Sequence, residues 1–253
     1  QSLFEHASVC AKGKLELGVF SLDLALTQAG DLHVIGVDRT APFNDLTRLG
    51  LLNLPRHTHE VIHKRSRRSE FMGTDERADH VIAFLGDSNP GDSYQEKREA
   101  KGGKNILKEK GYEYSFQKFR DLLACSDYTV ANLEVSVTER RESELADVKP
   151  YVDRAAVKET TELLKGLGVN AVSLANNHTK DFGEIGLVDT ISAMQEGGIT
   201  YFGAGRSATE AESVVHHHVS IGGKLLHVVF AGGFEYRSLY KKWGYYADAS
   251  HAG

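Results

Sequence analysis

Cysteine is scarce: Cys10 and Cys125 are the only two in 253 residues. That excludes a disulfide framework and a four-cysteine zinc site, and two thiols so far apart suit a reducing compartment. Positive charge is not in surplus, with 30 Lys and Arg against 35 Asp and Glu and a net charge of −5. No global basic field therefore argues for nucleic acid as a partner. No apolar run approaches the ~18–20 residues that cross a bilayer as a helix. An initiator Met and a basic-then-apolar leader are also missing, and the chain ends on His251-Ala252-Gly253. The expectation from these ends is a piece of a longer protein. What remains is a globular composition, 41% hydrophobic and 26% charged, with a length that allows one or two domains.

The chain divides by texture. His57-Thr58-His59-Glu60 through Arg65-Ser66-Arg67-Arg68-Ser69 is polar and basic, and continues into Gly73-Thr74-Asp75-Glu76-Arg77. No apolar period runs through it, so 56–78 reads as a solvated linker. Upstream, Leu17–Leu26 and Leu32–Asp38 flank the turn Thr27-Gln28-Ala29-Gly30-Asp31. This is a hairpin that sets Asp23 and Asp38 on neighbouring strands. One hairpin buries too little to stand alone, so it should pack on something preceding Gln1.

From Asp79 onward apolar runs alternate with amphipathic stretches. The expected strands are 81–85, 128–131, 169–174 and 199–202. The expected helices are Phe116–Cys125, 155–167 capped by Gly168, 184–196 stopped by Gly197-Gly198, and Ser207–Glu212. A second hairpin, 214–221 with 224–230, closes the pattern around Gly222-Gly223. Strands and helices alternating at these lengths define an α/β layered fold.

Three successive strands run into chemistry-bearing residues: Asp87, then Asn132 and Glu134, then Asn177-His178. Asp87, Asn132 and Asn177 stand 45 residues apart, room for one helix and a return strand each time. In open α/β sheets ligands collect at the carboxyl ends of the strands. Hard oxygen donors with one imidazole suit Mn, Fe(II), Mg or Zn rather than a thiolate metal. Two such ions ~3.5–4 Å apart can activate water and stabilise both oxygens of a phosphoryl displacement. Each piece has a plainer reading as well. Gly86-Asp87 can be a turn or a helix start, and Asn176-Asn177-His178 an Asx-turn with a capping His.

These residues carry a resemblance. Phe84-Leu85-Gly86-Asp87, Ala131-Asn132-Leu133-Glu134 and Ser173-Leu174-Ala175-Asn176-Asn177-His178-Thr179-Lys180-Asp181-Phe182-Gly183 resemble the motifs of the CapA family, as does Gly198-Ile199-Thr200-Tyr201-Phe202-Gly203-Ala204-Gly205. That family is named for bacterial poly-gamma-glutamate capsule synthesis and is similar in fold to calcineurin-like metallophosphoesterases. The resemblance covers 79–253 and implies such a fold there, incomplete at its C-terminus. It implies metal positions at Asp87, Glu134, Asn177 and His178, possessing one or two divalent ions, with Asn132, Asn176 and Asp181 in support. Metal-activated water would attack a phosphoester, with Asp87 and His178 as the catalytic residues. Asn89 stands where related enzymes carry a histidine, and their later histidines would lie beyond this chain.

The expected substrate is an acidic polymer or a phosphoester, in capsule-type polymer synthesis. The alternatives are a non-catalytic polymer-binding assembly or export factor, and a metal-dependent amide hydrolase. Residues 1–55 are similar to the end of an ATP-grasp ligase domain, whose second strand carries Glu-x-Asn as Mg–ATP ligands. Gly36 and Asp38 stand at those places, so ATP binding by this chain alone is not expected. His216 and His218 share one strand face and His217 the other; two His at that spacing can bind metal, but with no carboxylates nearby the expectation is a solvated strand face, and for His227 a structural role. Lys149-Pro150-Tyr151 is expected to be a solvated loop, and Glu235-Tyr236-Arg237 and Lys241-Lys242-Trp243 are candidate substrate contacts.

Overall fold

The computed structural model describes residues 80–124, 126–221 and 223–253, with the backbone of two strands at 22–26 and 32–37. The linker 56–78, Asp38, Cys10, Cys125 and the side chain of Asp23 lie outside the described residues. In chain order the elements are β1 (Leu22–Leu26), β2 (Leu32–Val37), β3 (Ile82–Ser88), α1 (Asp92–Ala100), α2 (Ile106–Lys110), α3 (Glu113–Phe116) and α4 (Arg120–Leu123). There follow β4 (Tyr128–Leu133), β5 (Ser136–Val137), β6 (Arg154–Ala155), α5 (Val157–Gly166), β7 (Ala171–Ser173) and α6 (Gly183–Gly197). The last are β8 (Thr200–Phe202), α7 (Ala208–Ala211), β9 (Val215–Ile221), β10 (Lys224–Phe230) and α8 (Ser238–Lys242).

The described chain forms two compact units. The smaller holds a four-stranded sheet in the order β1-β2-β10-β9. The strands of each hairpin pair antiparallel. Their joining was not foreseen: β2 pairs in parallel with the chain's own β10, Leu32 opposite Val228. The first hairpin therefore has a neighbour from this chain, where the sequence had suggested one before Gln1.

The larger unit holds the sheet β3-β4-β7-β8, parallel at every pairing. β4 lies inside it, and Thr129, Val130, Ala131 and Leu133 are all buried, as a parallel strand covered on both faces requires. Helices α5 and α6 supply Leu163, Leu164, Leu187, Ile191 and Met194 to the same cluster as Ala131, Leu133 and Val172. Each large apolar side chain taken fully from water there contributes about 1.5–3 kcal/mol. The helix ends follow the glycines: Gly168 and Gly198 both take positive φ just past α5 and α6, the left-handed step that closes a helix.

One expected helix fails and one unexpected helix forms, each for a physical reason. The helix anticipated over 116–125 is broken into α3, a 3-10 turn at Gln117–Phe119 and α4. Phe116 packs on the core while Phe119 stays half exposed, so the apolar spacing there does not mark one continuous buried face. Conversely α1 was not anticipated, because its sequence DSYQEKREA has no apolar period. It is anchored through polar groups: Asp92 accepts from the Ala156 N–H at 2.9 Å and Ser93 from the Arg154 N–H at 2.8 Å. Burial pushes the Asp92 carboxyl above its ordinary value, against the opposing hydrogen bond from Tyr112.

After β7 and β8 the backbone passes close to a third segment. A Cβ added at Gly203 would lie 2.7 Å from the Ala175 Cβ and 3.1 Å from the Gly232 Cα, at a φ of +81°. Gly203→Ala should cost about 1–3 kcal/mol through overpacking and strain. Gly233→Ala, where a Cβ meets nothing within 4 Å, should stay within about 0.5 kcal/mol of the parent. Paired urea titrations check the contrast, and equal midpoints for the two variants would refute it.

Candidate active site

Because β3, β4 and β7 run parallel, their carboxyl ends share one edge of the sheet. β3 carries an irregularity there: Leu85 pairs with Ala131, but the next partner of β4, Asn132, faces Asp87. Gly86 is the extra residue, and such a bulge re-aims the side chain that follows it. The strand thus reaches Ser88, three residues past the expected end, and Asp87 sits within it.

A directional line of hydrogen bonds crosses the edge. The Asn132 amide donates to Asp87 Oδ1 at 2.7 Å. The Asn176 amide donates to Asn132 Oδ1 at 3.0 Å and to the Leu133 carbonyl at 2.9 Å. A carbonyl only accepts, which fixes the Asn176 amide, and through it the Asn132 amide, in one orientation. Asn176 Oδ1 accepts from the backbone N–H groups of His178 and Thr179, both at 3.0 Å. The Asx-turn reading of this motif is thus realised at Asn176, and the turn presents His178.

His178 Nδ1 lies 2.7 Å from Asp181 Oδ2. Asp181 has no solvent exposure. Its remaining partners are the Lys149 ammonium, the Tyr245 hydroxyl donating at 2.9 Å and the Asp153 N–H donating at 2.7 Å. Lys149 also donates to the Asn177 carbonyl at 2.5 Å and stands 3.4 Å from His178 Nδ1. Asp153 Oδ2 is 3.7 Å from that same nitrogen and accepts from the Asn89 amide at 3.2 Å. Burial, and then the Asp181 charge, push the Tyr245 phenol well above its usual value, so its hydroxyl stays a donor.

The neighbouring Lys180 is equally buried, but is answered by carbonyls of Gly244 and Ala252. Burial holds its ammonium below the usual lysine value, against the opposing charges of Glu184 and Asp248. A cavity of about 260 Å³ lies beside it, lined in part by Asn176, Thr179, Phe234, Tyr245 and Tyr246.

The expected site residues are placed as follows. Asp87, Asn132 and Asn176 are joined directly, and His178 is joined to Asp181. Glu134 follows β4, its N–H donating to the Ser88 carbonyl at 3.0 Å. Asn177 enters through its backbone carbonyl, and its amide makes no hydrogen bond among the described residues. Asp23 lies in β1, its backbone opposite Gly36 in β2. Lys149 corrects an expectation: Val148, Pro150 and Tyr151 around it are exposed, but its own ammonium turns inward and is buried against Asp181, which needs a counter-charge. Asp153 and Tyr245 were missed altogether, since they meet Asp181 from 28 and 64 residues away with no shared pattern.

Asp87, Glu134 and Asn177 offer the hard oxygens that Mg or Mn prefer. Among the described residues, however, no three His, Cys, Asp or Glu side chains come together as a ligand group. One oxygen of Asp87 already accepts from Asn132. These residues offer the donor types of a divalent-ion site without closing into a ligand group of charged and imidazole side chains among the described residues.

The histidines of the second hairpin keep the expected alternation. His216 and His218 stack on His227 with centroids 4.9 and 4.3 Å apart, while His217 Nε2 lies 3.0 Å from His80 Nε2. Burial, and then His80, lower the His217 pKa.

The class defined by these features is an α/β domain with a polar site at the carboxyl edge of a parallel sheet. Residues 81–252 match the family described as bacterial capsule synthesis protein PGA_cap, and the chain belongs to that family. It is 32% identical over 119 residues to the capsule biosynthesis protein CapA of Bacillus anthracis, covering 46% of this chain and 28% of that protein. It is 28% identical over 112 residues to the PGA biosynthesis protein CapA of Bacillus subtilis, covering 44% and 29%. A "probable polyglutamine synthesis accessory protein" of Mycobacterium tuberculosis is 39% identical over 80 residues, covering 32% and 20%. The matched stretches thus span less than a third of these relatives.

Removing one partner of a buried ion pair strands the other charge, at about 3–5 kcal/mol. Lys149→Met should therefore lower unfolding stability by that much, and Lys149→Met with Asp181→Asn should recover part of the loss. Denaturant titration of the three proteins measures the coupling. Strictly additive effects would mean that the two groups do not depend on each other.

Proposed function

We propose that this domain is a hydrolase-type module of capsule or poly-gamma-glutamate synthesis, in which His178 carries the proton and Asp181 orients it. The observation that carries this reading is the 2.7 Å contact between His178 Nδ1 and the buried Asp181 carboxylate. A carboxylate accepting from one ring nitrogen sets the tautomer and leaves the other nitrogen to exchange a proton with water or a leaving group. Lys149 balances the charge of Asp181, so the pair keeps its geometry without drawing on the substrate. The relatives' names tie their own chains to capsule and PGA synthesis. The bond class that follows is a phosphoester or an amide within, or leading to, an acidic polymer.

The upstream segments belong to the proposal too: 1–55 as an ATP-grasp-like end and 56–78 as a linker to the domain from 79 onward. Divalent ions enter it only as a variable of the test. The second reading is a polymer-holding assembly factor without turnover.

The test is hydrolysis of an aryl phosphoester and of a poly-gamma-glutamate chain, with Mn and with chelator, by the parent, His178→Ala and Asp181→Asn. His178→Ala should lose about 10²–10⁴-fold in rate, and Asp181→Asn should fall in the same direction. Rates equal to the parent would remove His178 from the chemistry. No turnover of either substrate by the parent, with the polymer still bound, would leave the assembly factor.

A further inference from the structure

Between Phe234 and Tyr246 the chain carries six aromatic residues, and the site described above uses one of them, Tyr245. The rings form two layers. Phe234, Tyr240 and Tyr245 make the inner one, with centroids 5.0 to 6.3 Å apart. Tyr245 fastens that layer to Asp181, and Lys180 fastens the adjacent Gly244 carbonyl.

The outer layer faces water. Tyr236 is 67% exposed and stacks on Tyr246 at 5.5 Å. Tyr246 is held in place, its hydroxyl accepting from the Arg237 N–H at 2.7 Å and donating to the Glu235 carbonyl at 2.8 Å. Tyr236 therefore presents a ring on a fixed support. Leu239 is exposed beside it in sequence on α8, together with Arg237, Lys241 and Lys242. Glu235 is the one acid between 234 and 246, and it is paired with Arg237 at 2.7 Å. A chain of net charge −5 thus concentrates cations here, against a framework of rings.

Rigid amphipathic rings give contact area at little cost in side-chain entropy. Lysine and arginine supply charges that act at longer range. A ligand that meets both must alternate anionic groups with short apolar runs. A polycarboxylate does so, through its carboxylates and the methylenes between them, whereas a polyphosphate offers charge alone.

We propose that Tyr236, Arg237, Leu239, Lys241 and Lys242 form a docking surface for an extended polycarboxylate chain. The choice of polymer rests on the capsule reading, but the surface does not depend on proton transfer by His178. The cations hold the carboxylates, and Tyr236 and Leu239 cover the methylenes. Tyr245 and Lys180 fix the segment to the motif that carries His178.

The experiment uses the full chain, labelled poly-gamma-glutamate, and competition by polyphosphate of matched charge. The variants are Lys241→Glu with Lys242→Glu, the milder Lys241→Ala with Lys242→Ala, and Tyr236→Ala, each confirmed to melt like the parent. Charge reversal should weaken binding by at least about ten-fold, a step of 1.4 kcal/mol. The alanine pair and Tyr236→Ala should each weaken it by about three-fold or more, and binding by the parent should fall with salt. Hydrolysis of the small aryl ester should not change in any of these variants. Parent-like polymer binding by the charge-reversed protein would overturn the docking surface and leave the catalytic reading standing. Loss of polymer binding, with no ester turnover even by the parent, would do the reverse. Equal displacement by polyphosphate, with Tyr236→Ala silent, would reduce the surface to simple ion exchange and overturn the proposal.

Discussion

Asp181 is shut off from solvent, and an ionised carboxylate in such a place costs several kcal/mol unless charge and hydrogen bonds answer it. Four groups answer it here: the Lys149 ammonium, the Tyr245 hydroxyl, the Asp153 N–H and the His178 ring. They arrive from three separate stretches of chain: the loop before β6, the turn after β7 and the segment after α8. His178 and Asp181 sit three residues apart in one turn, and the other two stretches bring Lys149, Asp153 and Tyr245 to complete the cluster around the carboxylate.

The relay from Asp87 through Asn132 to Asn176 works on a different principle. Two of its three members are neutral amides, which can be buried without the penalty of a charge so long as both ends are bonded. Each amide has a donor end and an acceptor end, so the line has a sense as well as a length. It passes through β4, whose body lies within the apolar cluster formed with α5 and α6. Dry packing below fixes the strands, and amides above transmit that placement sideways to the exposed Asp87. A polar network is valuable only when complete, and its buried member Asn176 is completed by the Leu133 carbonyl and two backbone N–H groups.

What could be read from the sequence follows from where apolar contact governs. The parallel strands, α5 and α6 could be read because burial imposes a period and glycine marks the ends. Helix α1 could not, because Asp92 and Ser93 hold it through hydrogen bonds to Arg154 and Ala156, which leave no periodic trace. The 45-residue spacing correctly gathered three strand ends, yet the residue that touches Asn132 is Asn176 rather than Asn177. Spacing predicts which strands meet, while the turn decides which side chain faces inward. Lys149 failed for the opposite reason: a lysine beside a proline looks like solvent, and only the buried carboxylate 32 residues later explains its burial.

The charges around the site also constrain what it can meet. Lys149 is matched by Asp181 within the buried cluster, so its charge is already answered inside the protein. Binding an acidic polymer therefore requires positive charge elsewhere on the same unit. Lys241 and Lys242 supply it, beside the Arg237–Glu235 pair, on a segment tied to Asp181 by Tyr245 and to Lys180 by the Gly244 carbonyl. On the proposed reading, the separation of a cationic ring-lined surface from the site lets the polymer be held by its many carboxylates while one bond is offered to His178.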